Sequence, residues 1–137
     1  MKQINLEIIT PSKQAFKGEV KSLAVPGSAG SFQVLFNHAP LLSTFEIGRV
    51  KLVDLEDKEI EFATSGGTVE VMENKILLLA DSLESKDEID SDRAKKSYTR
   101  AKERLSSVNR KEVDLLRAEA SLARSINRLK FIGQSLN

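Results

Sequence analysis

Two pairs of residues in this 137-residue chain have types and spacing that could do binding chemistry. Asp90 and Arg93 stand three apart in the stretch "EIDSDRAKK", Glu88 to Lys96, and Arg124 and Arg128 stand four apart near the C-terminal end. A guanidinium presents a planar fork of donors that matches the oxygens of a phosphate or carboxylate. Residues at i and i+4 share one face of a helix, so the last two arginines converge if that segment is helical. A plainer role stands beside this one. Asp90 and Ser91 are both residue types that cap helices, and Asp90 is a salt-bridge partner for an arginine brought near it.

The other marked residues point away from catalysis. His38 is the one histidine in the sequence. A general base needs an aligned nucleophile and an orienting partner, and nothing in the sequence marks Ser43, the nearest hydroxyl, as activated. A plainer role for His38 is to tie its loop together by hydrogen bonds. Gly27 and Gly30 in "PGSAG", and Gly66 and Gly67 in "SGG", lack the spacing and the following Lys-Ser/Thr of a phosphate loop, so both read as turns. With no cysteine, disulfides and thiolate metal sites are excluded, and no other metal site is expected.

Charge is distributed unevenly. Residues 1–92 carry 9 basic and 16 acidic side chains, whereas residues 93–137 carry 12 basic and 4 acidic. A basic tail on an acidic body suits an acidic protein surface, an anionic ligand or a nucleic acid. Arg100, Lys102, Arg104, Arg110 and Lys111 are the candidates for such a contact. With one tyrosine and no tryptophan, the basic segment lacks the aromatic platform on which single strands stack, which argues against nucleic acid. An acidic protein surface is the better partner, through a salt-sensitive and reversible attraction.

These residues must be placed by two kinds of element. In "QINLEII" Ile4, Leu6 and Ile8 alternate with polar residues, the period of a half-buried strand. "VKSLAV", "FQVLF", "GRVKLV", "EIEFA", "TVEV" and "KILLLA" follow, separated by turn-forming "PGSAG", "LEDK", "SGG" and "MENK". So many short, regularly punctuated strands predict a β-sandwich or flattened barrel over residues 1–85. From Arg93 the period changes: Ala94, Tyr98, Ala101, Leu105 and Val108 fall on one helical face. "SSVN" at Ser106–Asn109 breaks it, and Leu115, Ala118, Leu122, Ile126 and Leu129 form a second stripe. Residues 86–137 are therefore expected to form an antiparallel hairpin, with helices at about 91–106 and 111–132. A turn near residue 109 brings Asp90 to the level of Arg128 and Arg93 to the level of Arg124, gathering three arginines and one aspartate at the open end.

The apolar run Ile76–Ala80 is far short of the roughly 20 residues that span a bilayer, so no direct membrane span is expected. The start "MKQINLEIITPSK" reads as mature sequence, with no cleavable signal.

Ordered blocks along the chain resemble the epsilon subunit of the F-type ATP synthase, in its bacterial form. The blocks are "VPGSAGSFQVLFNHAPLLS" at Val25–Ser43, "SGGTVEV" at Ser65–Val71, "LLADSLESKDEIDSDRA" at Leu78–Ala94 and "RAEASLARSINRL" at Arg117–Leu129. Gln33 stands where that family usually has glycine, and Phe36 where it often has proline. The resemblance implies a β-sandwich followed by a two-helix hairpin. It also implies a non-catalytic rotor subunit of the central stalk, held between the gamma subunit and the membrane c-ring and coupling proton flow to ATP synthesis. Such a subunit lies on the cytoplasmic face of the bacterial inner membrane as a peripheral part of the complex. Its hairpin folds down or extends toward the catalytic alpha/beta head and restrains hydrolysis, with the basic residues meeting the acidic beta subunits. The resemblance further implies that Ser31, Phe32 and His38 lie at the ring-facing end. Some bacterial members bind ATP through a pattern like "IDSDRA" with an R-x-x-x-R in the last helix. By that likeness Asp90, Arg93, Arg124 and Arg128 are candidate ATP ligands, with Glu84 at the base or sugar. No cofactor is required for the rotor role, and ATP enters as a regulatory ligand. The alternative from residues alone is a free-standing nucleotide-sensing or nucleic-acid-binding module built on the basic hairpin.

Overall fold

Strand β2, Gln14–Val25, organises the N-terminal unit, because its two halves pair with different partners. The first half lies antiparallel to β1, Ile4–Ile9, with Ile4 opposite Val20. The second half pairs with β5, Gly48–Asp54, and on its other side with β3, Phe32–Val34. The register shifts between Val20 and Ser22. A bulge there bends the strand and sharpens its twist, which lets one strand pass from one layer to the next.

The structure is a computed structural model that describes residues 2–106 and 112–133. The remaining strands are β4 (Leu41–Phe45), β6 (Glu59–Thr64), β7 (Gly67–Met72), β8 (Lys75–Ala80) and β9 (Leu83–Glu84). They follow the order β4-β7-β8-β1-β2-β5-β6-β9, with β3 beside β2. All pairs are antiparallel except β1 with β8. The expected β-sandwich is thus present. Its core is the inward row of each strand: Ile4, Leu6 and Ile8 from β1, Val50 and Leu52 from β5, Val69 and Val71 from β7, and Ile76 and Leu78 from β8.

Three stretches differ from the alternation pattern. The strand expected at "VKSLAV" begins six residues earlier, at Gln14, where Lys17, Gly18 and Glu19 hide the signal. "FQVLF" supplies only Phe32–Val34. Leu41–Phe45 is a strand although its two leading leucines do not alternate with polar residues. "SGG" links β6 to β7 as a connection that needs glycine: Gly66 has φ +112°, and a Cβ there would meet the Phe45 carbonyl oxygen at 2.9 Å. Only glycine accepts that backbone without strain.

The chain divides into two units, Met1–Ser85 and Lys86–Asn137. In the second, a single 3-10 turn, Lys86–Glu88, precedes α1, Ser91–Leu105, and α2 spans Glu112–Phe131. The two helices pack on each other. Small residues set their seam: Ala94 and Ala101 are buried on α1, and Ala118 and Ser125 on α2. In an antiparallel pair, facing residues have a constant number sum, and Ala94 with Ser125 and Ala101 with Ala118 both give 219. Ser125 donates its hydroxyl to the Ser121 carbonyl at 2.9 Å, so its burial costs no unmet hydrogen bond. Tyr98, Leu105, Leu115, Leu122 and Ile126 are half-buried, while Leu129 and Phe131 are buried. Val108 and the break at Ser107–Asn109 lie outside the described residues.

Candidate functional site

At the open end of the hairpin, Asp90 is the N-cap of α1. Its Oδ1 accepts the backbone N–H of Arg93 at 3.1 Å, and its own backbone is extended, with φ −83° and ψ 107°. The side chain thereby satisfies one of the donors that every helix start leaves unpaired. Ser91 is the first residue of the helix and not its cap. The seam register puts Arg93 level with Ile126, midway between the levels of Arg124 and Arg128. Arg93 is exposed, and Arg124 and Arg128 are half-buried on one face of α2. Glu84 belongs to the sandwich unit, where it pairs with Ala63 at the sheet edge.

Electrostatics explain much of the charge order in this unit. Asp87, Glu88, Asp90 and Asp92 gather where α1 begins, and Arg128 and Lys130 lie in the last turn of α2. Acids favour the positive end of a helix dipole and bases its negative end. Counting Lys86, Arg93, Lys95 and Lys96, the segments 86–96 and 124–130 hold seven basic residues against four acidic. The excess leaves this end able to attract an anion after both helix termini are complemented.

A second group occupies the loops around β3 and β4. Ser31 is exposed and Phe32 half-buried, packed against the core of the sandwich. His38 Nδ1 lies 2.7 Å from the Ala39 carbonyl oxygen, which requires that nitrogen to carry the proton and donate. Ser43 donates its hydroxyl to the Thr44 carbonyl at 3.1 Å. The histidine is thus engaged by its own loop, in agreement with the hydrogen-bonding role read from the sequence. Leu35, 53% exposed, stands beside these residues and was not singled out by residue type.

The helical bases Arg100, Lys102 and Arg104 are exposed on α1, with Lys102 Nζ 5.5 Å from the Tyr98 ring centroid. Arg110 and Lys111 lie outside the described residues.

A surface that sequence reasoning missed is the outer face of β4, β7 and β8. Leu42 is 76% exposed, Met72 51% and Leu79 44%. Leu42 lies opposite Glu70, and Glu70 opposite Leu77, so apolar and acidic side chains share one cross-strand row. Beside it runs an open groove of about 650 Å³ whose lining includes Glu7, Lys17, Glu70, Met72 and Leu77. The signal was in "KILLLA". A strand with one wet face alternates, whereas here Leu77 and Leu79 are apolar on the outward face as well. Exposed apolar area of this kind, set among charges, is a feature of surfaces that bind a partner, a ligand or a membrane.

Among the described residues no helix is long and apolar enough to cross a membrane.

Comparison with known proteins gives concordant results over both units. The family model described as "ATP synthase, Delta/Epsilon chain, beta-sandwich domain" matches residues 3–86, and "ATP synthase, Delta/Epsilon chain, long alpha-helix domain" matches residues 87–133. An ATP synthase epsilon chain of Desulforamulus reducens is 40% identical over 91% of this chain and 93% of its own length. That of Bacillus pumilus is 36% identical over 98% of this chain and the whole of its own. The fold is also that of a chain in the Euglena gracilis mitochondrial ATP synthase, OSCP/F1/c-ring, with a TM-score of 0.81 and 18% identity. That match covers 93% of this chain and 79% of the other.

Proposed function

The chain belongs to the ATP synthase delta/epsilon family, as an F-type epsilon subunit, and from that premise we propose a central-stalk rotor role in proton-coupled ATP synthesis. By family identity it is a non-catalytic subunit. The observation that carries the rotor reading is the outer face of β4, β7 and β8. Leu42, Leu79 and Met72 are exposed there beside an acidic groove, an arrangement suited to a permanent partner with apolar and basic side chains. In this reading the partner is the gamma subunit.

The loops that carry Ser31, Phe32, Leu35 and His38 then meet the c-ring, and the whole assembly sits on the cytoplasmic face of the membrane. The hairpin supplies regulation. Its exposed bases Arg100, Lys102 and Arg104 are attracted to acidic surface on the catalytic head, and a contact of this kind holds weakly and releases in response to small changes. Held against that head, the helices obstruct rotation in the hydrolysis direction. ATP at Asp90, Arg93, Arg124 and Arg128 favours the folded hairpin, because a ligand shifts the equilibrium toward the state that binds it.

The test of the rotor reading is association with gamma. The full chain should co-purify with gamma in equal stoichiometry. The double substitution Leu42→Lys with Leu79→Lys should abolish that association and leave the free chain's unfolding midpoint nearly unchanged, because both side chains already face water. Retained association in the double variant contradicts the assignment of this face. A chain that never associates with gamma favours the free-standing module.

A further inference from the structure

Lys86 opens the helical unit and Phe131 ends its second helix, 45 positions later, yet the two side chains meet. The Lys86 ammonium lies 5.8 Å from the centroid of the Phe131 ring. A cation at that distance over a ring face is held by the ring quadrupole. Phe131 is only 2% exposed, and Lys86 is exposed, so the lysine reaches a buried ring from the solvent side.

The end of α2 is shaped to keep Phe131 in place. Gly133 has φ +77°, the left-handed conformation of a helix terminator, and its N–H donates to the Lys130 carbonyl at 3.1 Å. Ile132 donates to the Arg128 carbonyl at 3.1 Å. The helix therefore stops immediately after Phe131 instead of fraying through it. Lys86 also places its charge beside the negative end of the α2 dipole, so two attractions act on one ammonium.

We propose that Lys86 and Phe131 form a latch that ties the start of the helical unit to the last turn of α2. The contact joins the start of the unit to the end of α2, and α2 cannot swing away from that start without breaking it. Its position gives it a further property. Lys86 is the first residue after the sandwich, so release of the latch frees the connecting turn and the final helical turn together. The proposal rests on the mobile-hairpin reading above and names the contact that sets its closed population.

The test is amide hydrogen exchange on the intact full-length chain, followed at Arg128–Ile132 with the amides of Ala118–Leu122 as internal reference. Lys86→Met keeps the length of the side chain and removes the charge. It should speed exchange of the final turn roughly two- to fivefold, the range expected for one partly exposed cation–π contact. Lys86→Arg keeps the cation and should exchange no faster than the parent chain. Unchanged exchange in Lys86→Met, or equal acceleration in both variants, overturns the latch. This readout needs no partner. If exchange responds as stated while removal of the hairpin leaves hydrolysis by the complex unchanged, the latch stands and the inhibitory reading falls.

Discussion

The Asn37 backbone N–H donates to Oδ1 of Asn74 at 2.7 Å, and Asn74 returns the bond from Nδ2 to Oδ1 of Asn37 at 3.2 Å. Both asparagines adopt left-handed backbone, with φ +62° and +60°. Asparagine tolerates that region better than other residues with a Cβ. The pair binds the loop before His38 to the β7–β8 turn, so the proposed ring-facing loop is held by a residue of another hairpin.

Asn74→Ala removes both bonds and places alanine in the left-handed region, and should destabilise the chain by about 1–3 kcal/mol in urea unfolding. Asn74→Gly keeps the backbone conformation at lower cost and removes only the bonds. Both should move the amide resonances of Asn37 and His38, with the glycine variant the more stable of the two.

Asp90→Ala removes the α1 cap and should cost about 1 kcal/mol of helical stability, read as lost ellipticity at 222 nm and a lowered melting midpoint. Asp90→Asn retains an acceptor for the Arg93 N–H and should melt close to the parent chain. If the two variants melt alike, the side-chain oxygen is not what holds the start of α1.

The seam between the helices is set by small side chains, so enlarging one should force them apart. Ala101→Leu, at a residue 1% exposed, should cost about 1–3 kcal/mol. Ala123→Leu on α2, at an exposed position, should be nearly neutral. Equal melting behaviour of the two variants would contradict the close packing at Ala101.

For nucleotide binding, ATP titrated into the isolated chain should give saturable shifts at Arg93, Arg124 and Arg128, weaker at higher ionic strength. Arg93→Ala and Arg128→Ala should each reduce the shifts. An unresponsive chain at millimolar ATP removes the nucleotide from the account and leaves Asp90 as a helix cap alone.

The sequence made the two-part architecture legible because the hydrophobic period changes from two to near 3.6 across Glu88–Lys96. The start of β2 was hidden because Lys17 and Glu19 are exposed and Gly18, opposite buried Leu6, brings no side chain to the inward row. Within the candidate sites, the Asp90 cap could be read from residue type and position. The Asn37–Asn74 clamp and the Lys86–Phe131 contact join residues far apart in the chain, and no local pattern carries such pairs. The outer face at Leu42 and Leu79 was visible in principle. Leucines on both faces of β8 depart from the alternation of a strand with one wet face.

The central claim is that the hairpin restrains hydrolysis in an otherwise competent rotor subunit. It is tested most directly by assembling the ATP synthase with this chain lacking Lys86–Asn137 and measuring ATP hydrolysis and proton-driven synthesis together. The account predicts intact assembly, synthesis near that of the parent complex and raised hydrolysis. Hydrolysis unchanged in a fully assembled complex would contradict it.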